Sequence, residues 1–223
     1  MERIAINKVY IYNKVKSMAS KAMLFAFIPL LACLVATIFL TGCDAENSIS
    51  TRYPCQFIFR TIYHPGTSIE TALNGSGTTY TMISAKKVNG AWNIYSTLND
   101  GKNKTETIVL STAKENYANY SYLGAGNNTT DATKNGFILG QSYFNGYVAW
   151  DRQCLNCILQ YGGTNYPLEW AEDRQTVICN KCKRVYRLED GAIISGRQSK
   201  EDKSLMRYRV SYGGIGSVLT VGN

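Results

Sequence analysis

The chain has 223 residues, of which 45% are hydrophobic, 12% aromatic and 18% charged. This composition excludes an intrinsically disordered protein and favours a β-rich domain with a core of its own. The formal net charge is +8, but five of the 24 basic residues and one of the 16 acidic residues precede residue 42. The rest of the chain carries only +4, so we expect no nucleic-acid partner.

Residues 1–42 have the organisation of an export signal. Lysines precede an uncharged apolar stretch at residues 22–40, and small residues follow it. Leu40, Thr41, Gly42 and Cys43 resemble the lipobox of bacterial lipoproteins. That resemblance implies removal of residues 1–42 as a signal peptide and acylation of Cys43, which would attach the protein to a lipid bilayer.

Two alternatives remain open for this front segment. An uncleaved transmembrane helix would also use the apolar stretch, because its length nearly spans a bilayer. Translation could also start at Met18 or Met23. Under each interpretation the lysines stay inside, so the rest of the chain lies in the cell envelope, facing the periplasm or the cell surface. The sequence does not decide between inner and outer membrane.

After a lipidated cysteine and a polar tether at residues 43–52, we expect a single domain over residues 53–223. Its first half contains segments rich in β-formers that are separated by turn residues. The predicted strands are residues 55–63, 78–88, 91–97 and 106–111. Asn89-Gly90 lies between two of them and predicts a tight hairpin.

The second half continues the β pattern. Residues 114–122 form a short helix or an irregular link in this interpretation, and residues 123–134 form a loop. Further strands are predicted at residues 136–141, 146–151, 205–210 and 219–221. No long segment after residue 42 has helical periodicity, so the predicted fold class is all-β and antiparallel.

The most specific motif in the chain is a pair of Cys-x-x-Cys sequences. Cys154 and Cys157 form the first pair, and Cys179 and Cys182 form the second. Each pair places two sulfurs on one side of a tight turn, and two such turns can complete a tetrahedron around a metal ion. We therefore predict one metal centre with these four ligands.

Other uses of these cysteines stay open. An exported protein meets an oxidising compartment, where the four thiols could form two disulfides. A thioredoxin-like redox pair is disfavoured, because that chemistry needs a Cys-x-x-Cys that opens a helix within a βαβ unit. Cys55 stands apart from the four and is interpreted as a small buried hydrophobe.

The residues around the two cysteine pairs resemble a known family. Residues 147–154 (YVAWDRQC) and 176–191 (TVICNKCKRVYRLEDG) look like the Rieske domain pattern, with an aromatic residue and an Asp before the first ligand loop. The resemblance covers about residues 136–223. It implies an antiparallel β-sandwich of the Rieske iron–sulfur type, with a small rubredoxin- or zinc-ribbon-like metal-binding subdomain at about residues 150–190.

The chain departs from that family at the ligands. Cys157 and Cys182 stand where Rieske proteins carry histidines, and the first loop is one residue longer. On a [2Fe–2S] cluster this replacement would lower the reduction potential to about −400 mV, as in plant-type ferredoxins. The cofactor is therefore zinc or a [2Fe–2S] cluster, and zinc suits the Cys-x-x-Cys pairing at least as well.

No catalytic residue is predicted. The single histidine, His64, is followed by Pro65 in an expected loop and is interpreted as solvated, and Glu169, Glu172 and Asp173 as a charged hairpin tip. Trp150 and Tyr186 flank the ligand loops and are expected to shield the metal. The hypothesis is a structural or binding lipoprotein. The alternative is a low-potential electron carrier for an unidentified envelope redox partner.

Overall fold

The computed structural model describes residues 49–75, 77–112, 115, 120, 122–126 and 135–223. The export signal, Cys33 and the predicted lipidation site at Cys43 lie outside these residues. Most of the predicted link at residues 114–122 and of the loop at residues 123–134 also lies outside them.

The regular secondary structure of the described residues is mainly antiparallel β-structure, as predicted, with two short helices that were not predicted. The strands are β1 (Gln56–Arg60), β2 (Tyr80–Val88), β3 (Ala91–Leu98), β4 (Thr105–Leu110), β5 (Phe137–Ser142), β6 (Gly146–Asp151), β7 (Leu168–Trp170), β8 (Thr176–Cys179), β9 (Val185–Arg187), β10 (Ile193–Ser195), β11 (Arg207–Ser211) and β12 (Val218–Gly222). The helices are α1 (Ser68–Asn74) and α2 (Leu155–Tyr161), and a 3-10 turn covers Thr61–Tyr63. None of the helices in these residues has the length and apolar character needed to cross a membrane.

Eight strands form a curled sheet in the order β1-β12-β11-β6-β5-β2-β3-β4. The β2–β3 hairpin has the predicted turn, since Val88 pairs with Ala91 across Asn89 and Gly90. Both turn residues have positive φ, 49° and 85°, which is the conformation of the tightest hairpin turns and the reason for the Asn-Gly pair.

Both faces of this sheet are buried near its centre. On β5, Phe137 and Leu139 point into the core inside the curl, whereas Ile138 points to the opposite face. On β6, Ala149 points inward and Trp150 outward. Burial on two sides explains why these strands have runs of apolar residues instead of alternation.

The outer face of the large sheet is covered by a second, smaller sheet with the order β10-β9-β8-β7. Leu168 of β7, Val177 of β8 and Tyr186 of β9 pack in one cluster with Trp150 and the four cysteines. The small sheet falls largely within the segment predicted as a metal-binding subdomain. Its strands have only three or four residues, so it depends on this packing for its stability.

Helix α1 was missed although its sequence carries a start signal. Thr67 caps the helix by accepting a hydrogen bond from the N–H of Glu70, and the Glu70 carboxylate accepts one from the N–H of Gly66. This is a variant of the Thr-x-x-Glu capping box, in which the carboxylate bonds to the N–H of the residue before the cap. With seven residues the helix is too short for its periodicity to stand out, but Ile69 and Leu73 are fully buried in the core.

The end of the predicted tether contacts the domain. Ile49 forms a parallel bridge with Arg207, and the N–H of Ser50 donates to the Arg207 carbonyl at 2.8 Å. The side-chain amide of Asn223 donates to the carbonyls of Ser50 and Tyr53. The entry of the chain into the domain is thus joined to β11 and to the last residue.

Candidate metal centre

The first cysteine pair lies where β6 leads into α2. Cys154 is the residue before the first turn of the helix, and Cys157 lies within that turn. The helix ends at Gly162, whose φ of 71° is the left-handed conformation that glycine adopts readily. The sequence analysis expected a ligand loop here. A seven-residue helix was missed because its period cannot be recognised over so few residues.

A cysteine pair that opens a helix is also the arrangement of thioredoxin-like redox sites. The surroundings differ, because α2 connects β6 of the large sheet to β7 of the small sheet. All pairings among the named strands are antiparallel, so no βαβ unit surrounds the pair in the part of the chain that is described.

The second cysteine pair forms a tight turn between β8 and β9. Cys179 is the last residue of β8. Lys183 has a φ of 61°, and its N–H donates to the Cys179 carbonyl at 2.8 Å. The N–H of Cys179 in turn donates to the Arg184 carbonyl at 3.0 Å. These two bonds close the turn and direct the sulfurs to one side.

The four sulfurs converge, as the spacing predicted. All four Sγ atoms lie within 4.8 Å of one another, and all four residues are buried. Two close contacts cross between the pairs: Cys154 Sγ lies 3.6 Å from Cys182 Sγ, and Cys157 Sγ lies 3.6 Å from Cys179 Sγ. These separations exceed a disulfide bond of about 2.05 Å. The five described cysteines, Cys55 included, are free thiols. Four thiols in this arrangement can bind one metal ion.

The cluster favours at least one thiolate. The thiol of Cys154 hydrogen-bonds to Cys179 and lowers the pKa of Cys179 to about 5, with help from the N–H groups of Cys182 and Lys181. The same contact and burial raise the pKa of Cys154. Burial raises the pKa of Cys157 to about 12. Thiolate is the form that binds metal, and the lowered pKa of Cys179 favours this form.

Tyr186 and Trp150 both lie beside the sulfurs, in different ways. The Tyr186 hydroxyl is 3.2 Å from Cys154 Sγ, and it accepts a hydrogen bond from Asn156 Nδ2 at 3.0 Å. Trp150 is fully buried in the same apolar cluster, and its indole N–H donates to the Leu188 carbonyl at 2.8 Å. Tyr186 therefore contacts a sulfur directly, whereas Trp150 shares the apolar cluster of the four cysteines.

The sequence analysis missed a buried ion pair next to the second turn. Arg184 donates from Nε and Nη2 to the two carboxylate oxygens of Asp202, at 2.9 and 2.8 Å. Their side chains are 3% and 7% exposed. Asp202 raises the pKa of Arg184, and Arg184 lowers the pKa of Asp202. Eighteen positions separate the two residues, so no local pattern indicated the pair.

His64 was expected to be solvated, but its side chain is largely buried. Its ring stacks on Phe59, its side chain is 15% exposed, and its Nε2 lies 2.5 Å from the Glu115 carboxylate. The pair has no third ligand beside it, and among the described residues the four cysteines are the single group able to hold a metal ion. Asp173 of the acidic segment caps the β7–β8 turn by accepting from the N–H groups of Gln175 and Thr176.

Comparison with known proteins identified no relative. No family model matches the chain, and neither a curated protein nor a solved structure was found to be similar to it.

Proposed function

We propose that this chain is an exported, membrane-anchored lipoprotein whose outer domain holds one metal ion, preferably zinc, through Cys154, Cys157, Cys179 and Cys182. The metal is structural, and it joins the start of α2 to the β8–β9 turn of the small sheet. The observation that carries the proposal is the convergence of four buried Sγ atoms within 4.8 Å of one another.

The size of the sulfur cage supports a single ion. A tetrahedral ion with metal–sulfur bonds of about 2.3 Å has sulfur–sulfur edges of about 3.8 Å. In a cluster of two irons bridged by sulfides, a cysteine sulfur on one iron would lie about 5.3 Å or more from a cysteine sulfur on the other iron, at the same iron–sulfur bond length. The contacts of 3.6 Å and the upper limit of 4.8 Å match the single tetrahedron better.

The closed surroundings support a structural role. Catalytic zinc sites keep one coordination position open for water or substrate, whereas structural sites use four protein ligands. Here all four candidate ligands are cysteines, three of them with no exposed surface and Cys182 with 6%. Substrate would have no free coordination position and little access to the ion.

Export and metal binding support each other chemically. Thiols that touch in an oxidising compartment form disulfides, and coordination to a metal protects them. The charged and apolar segments before Cys43 and the residues Leu40, Thr41 and Gly42 carry the anchor proposal.

We also propose that the domain is a Rieske-type sandwich in which cysteines replace the histidine ligands. The supporting observations are the sequence around the cysteines and a two-part organisation of the domain. A large antiparallel sheet carries β6 up to the first ligand pair, and a small sheet carries the second pair between β8 and β9.

Metal content tests the proposal directly. The full chain is purified from membranes without added metal, and its bound metals, free thiols and visible spectrum are measured. We expect one zinc ion per chain and no colour. Bound iron with the visible absorption bands of an iron–sulfur cluster would instead support the alternative function, a low-potential electron carrier. Absence of metal together with a single titratable thiol in the outer domain would show two disulfides and overturn the centre.

The anchor is tested separately. Mass spectrometry of the mature N-terminus should find Cys43 acylated, and Cys43→Ser should release the domain from membranes. Cys33→Ser is the matched control, because Cys33 lies within the predicted signal and its loss should change neither property. An intact N-terminus with residues 1–42 retained would establish the transmembrane alternative.

A further inference from the structure

Among the described residues, Arg184 is the one buried Lys or Arg. Its side chain is 3% exposed, and it lies two positions after Cys182. A buried cation is costly unless something in its surroundings requires the charge. Its closeness to a metal-ligand candidate suggests that the charge acts on the sulfurs.

The loop at residues 196–202 holds Arg184 in place. Asp202 Oδ2 accepts from the N–H groups of Gln198 and Ser199, so the carboxylate is fixed before it pairs with the guanidinium. The Gln198 side chain joins the two parts of the site, because its Oε1 accepts from Arg184 Nη2 and its Nε2 donates to the Cys182 carbonyl, both at 3.2 Å. Gly196 lies against the backbone of this turn, since a Cβ there would be 2.5 Å from the Lys183 carbonyl oxygen.

One nitrogen of the Arg184 guanidinium, Nη1, is not used by these contacts. Nε and Nη2 are used by Asp202 and Gln198, but Nη1 is buried without a hydrogen-bond partner. A buried donor left unpaired is destabilising, because it has lost its hydrogen bonds to water without a replacement. Gln198 bonds both to this guanidinium and to the Cys182 carbonyl, which places the guanidinium beside the second cysteine turn. The Cys182 side chain is, after Asp202, a further group that raises the pKa of Arg184.

Resting on the proposed metal centre, we propose that Arg184 is a positioning residue that presents a positive charge to the metal–thiolate group at Cys182. Four thiolates around a divalent ion carry a net charge of −2, and a buried anion of this kind is stabilised by a cation nearby. Asp202 makes the pair neutral overall and leaves a dipole whose positive end is the guanidinium of Arg184, two positions after Cys182.

The reduction potential of an iron-loaded centre reports the effect of the Arg184 charge on the metal–thiolate group. Loss of a nearby positive charge destabilises the more negative, reduced state. For the full chain loaded with one iron ion, we expect Arg184→Gln/Asp202→Asn to reduce the ratio of reduced to oxidised iron about tenfold at fixed potential, which is about 59 mV. Arg184→Lys keeps the charge and should change the ratio by less than about twofold. Asp202→Asn leaves the cation uncompensated and should raise the ratio.

An exposed ion pair provides the matched control. Arg187 and Asp190 form a hydrogen-bonded pair in the same small sheet, with side chains 51% and 32% exposed. Arg187→Gln/Asp190→Asn removes the same charges where solvent screens them, so the ratio should stay within about twofold of the wild type.

The outcomes separate the two proposals. If the wild type takes up one ion per chain but the Arg184→Gln/Asp202→Asn variant keeps the wild-type potential, the role of Arg184 is overturned and the centre stands. The role of Arg184 is also overturned if Arg184→Lys lowers the reduction potential by as much as about 59 mV, the tenfold change expected of the double variant. This second test still applies if the double variant does not fold. A wild type that binds neither iron nor zinc overturns the proposed function, and the inference with it.

Discussion

The hydroxyl group of Tyr186 lies 3.2 Å from the sulfur of Cys154. The direction of this contact follows from its neighbours. Asn156 Nδ2 donates to the Tyr186 oxygen, which leaves the hydroxyl proton free to point at the sulfur. Asn156 is itself fixed by two hydrogen bonds to the backbone of Lys203. A chain of three residues thus orients one donor toward a metal-ligand candidate.

Tyr186→Phe should therefore weaken metal binding. Residues that hydrogen-bond to a ligand typically contribute 10- to 100-fold in metal affinity, and we expect a loss of about tenfold in zinc affinity. Competition with a chelator of known affinity measures it. Tyr166→Phe is the control, because the Tyr166 hydroxyl donates to the Gly162 carbonyl and to no sulfur. Equal affinities for both variants would contradict the role of Tyr186.

Cys182→Ser should lower metal content and thermal stability together. A structural zinc contributes folding free energy, so we expect the melting temperature to fall by about 10 °C or more and the bound metal to be lost. Metal analysis and calorimetry of the same samples check both effects.

Cys55→Ala is the matched control for that experiment. Cys55 is also buried and is a free thiol, but it packs in the core inside the large sheet. Its replacement should cost about 1 kcal/mol of packing and leave metal content unchanged. A Cys182→Ser protein that melts like the wild type would exclude a structural centre.

Asp202→Asn should destabilise the protein strongly at neutral pH. It leaves the buried Arg184 charge without its partner, which typically costs about 3–5 kcal/mol. Because Arg184 holds the pKa of Asp202 below its ordinary value of 3.8, the stabilisation is present above about pH 4 and is lost as the pH falls further. Urea unfolding at pH 7 and pH 3 should thus show a large difference between wild type and variant that shrinks in acid. The exposed-pair variant Asp190→Asn should stay within about 0.5 kcal/mol of the wild type.

Asp151 should make stability depend on pH in the opposite sense. Its carboxyl group is fully buried, and burial raises its pKa to about 6, although donors from Tyr208, Ala125 and Gln153 oppose the shift. A raised pKa means that the contribution is fully present below the ordinary value of 3.8 and is lost as the pH rises through about 6.

Comparing the wild type with Asp151→Asn isolates the contribution of this carboxyl group. Metal release at low pH changes the stability of both proteins, so it cancels in the difference. From pH 7.5 to pH 5, the unfolding free energy of the wild type should rise relative to the variant by about 1.4 kcal/mol. A difference that is constant over this range would show that the carboxyl group is not perturbed by its burial.

The strands of the large sheet and the four converging cysteines could be predicted because both depend on local sequence. Asn89-Gly90 requires only its own two positive φ angles, and each Cys-x-x-Cys turn aims two sulfurs through the conformation of four residues. Helix α2 was missed for a related reason, since the cysteine spacing fits a helical turn as well as a loop, and seven residues carry no readable period.

From the sequence alone, the strands of the large sheet, the turn residues and the identity of the four converging cysteines were determined, because each depends on residues within a few positions of one another. Only the tertiary structure decided that Cys154 meets Cys182, that Cys157 meets Cys179, and that Asp202 reaches back to Arg184. These contacts join residues 18 to 28 positions apart. They form because the small sheet folds onto the outer face of the large one, and no local periodicity specifies which side chains then meet.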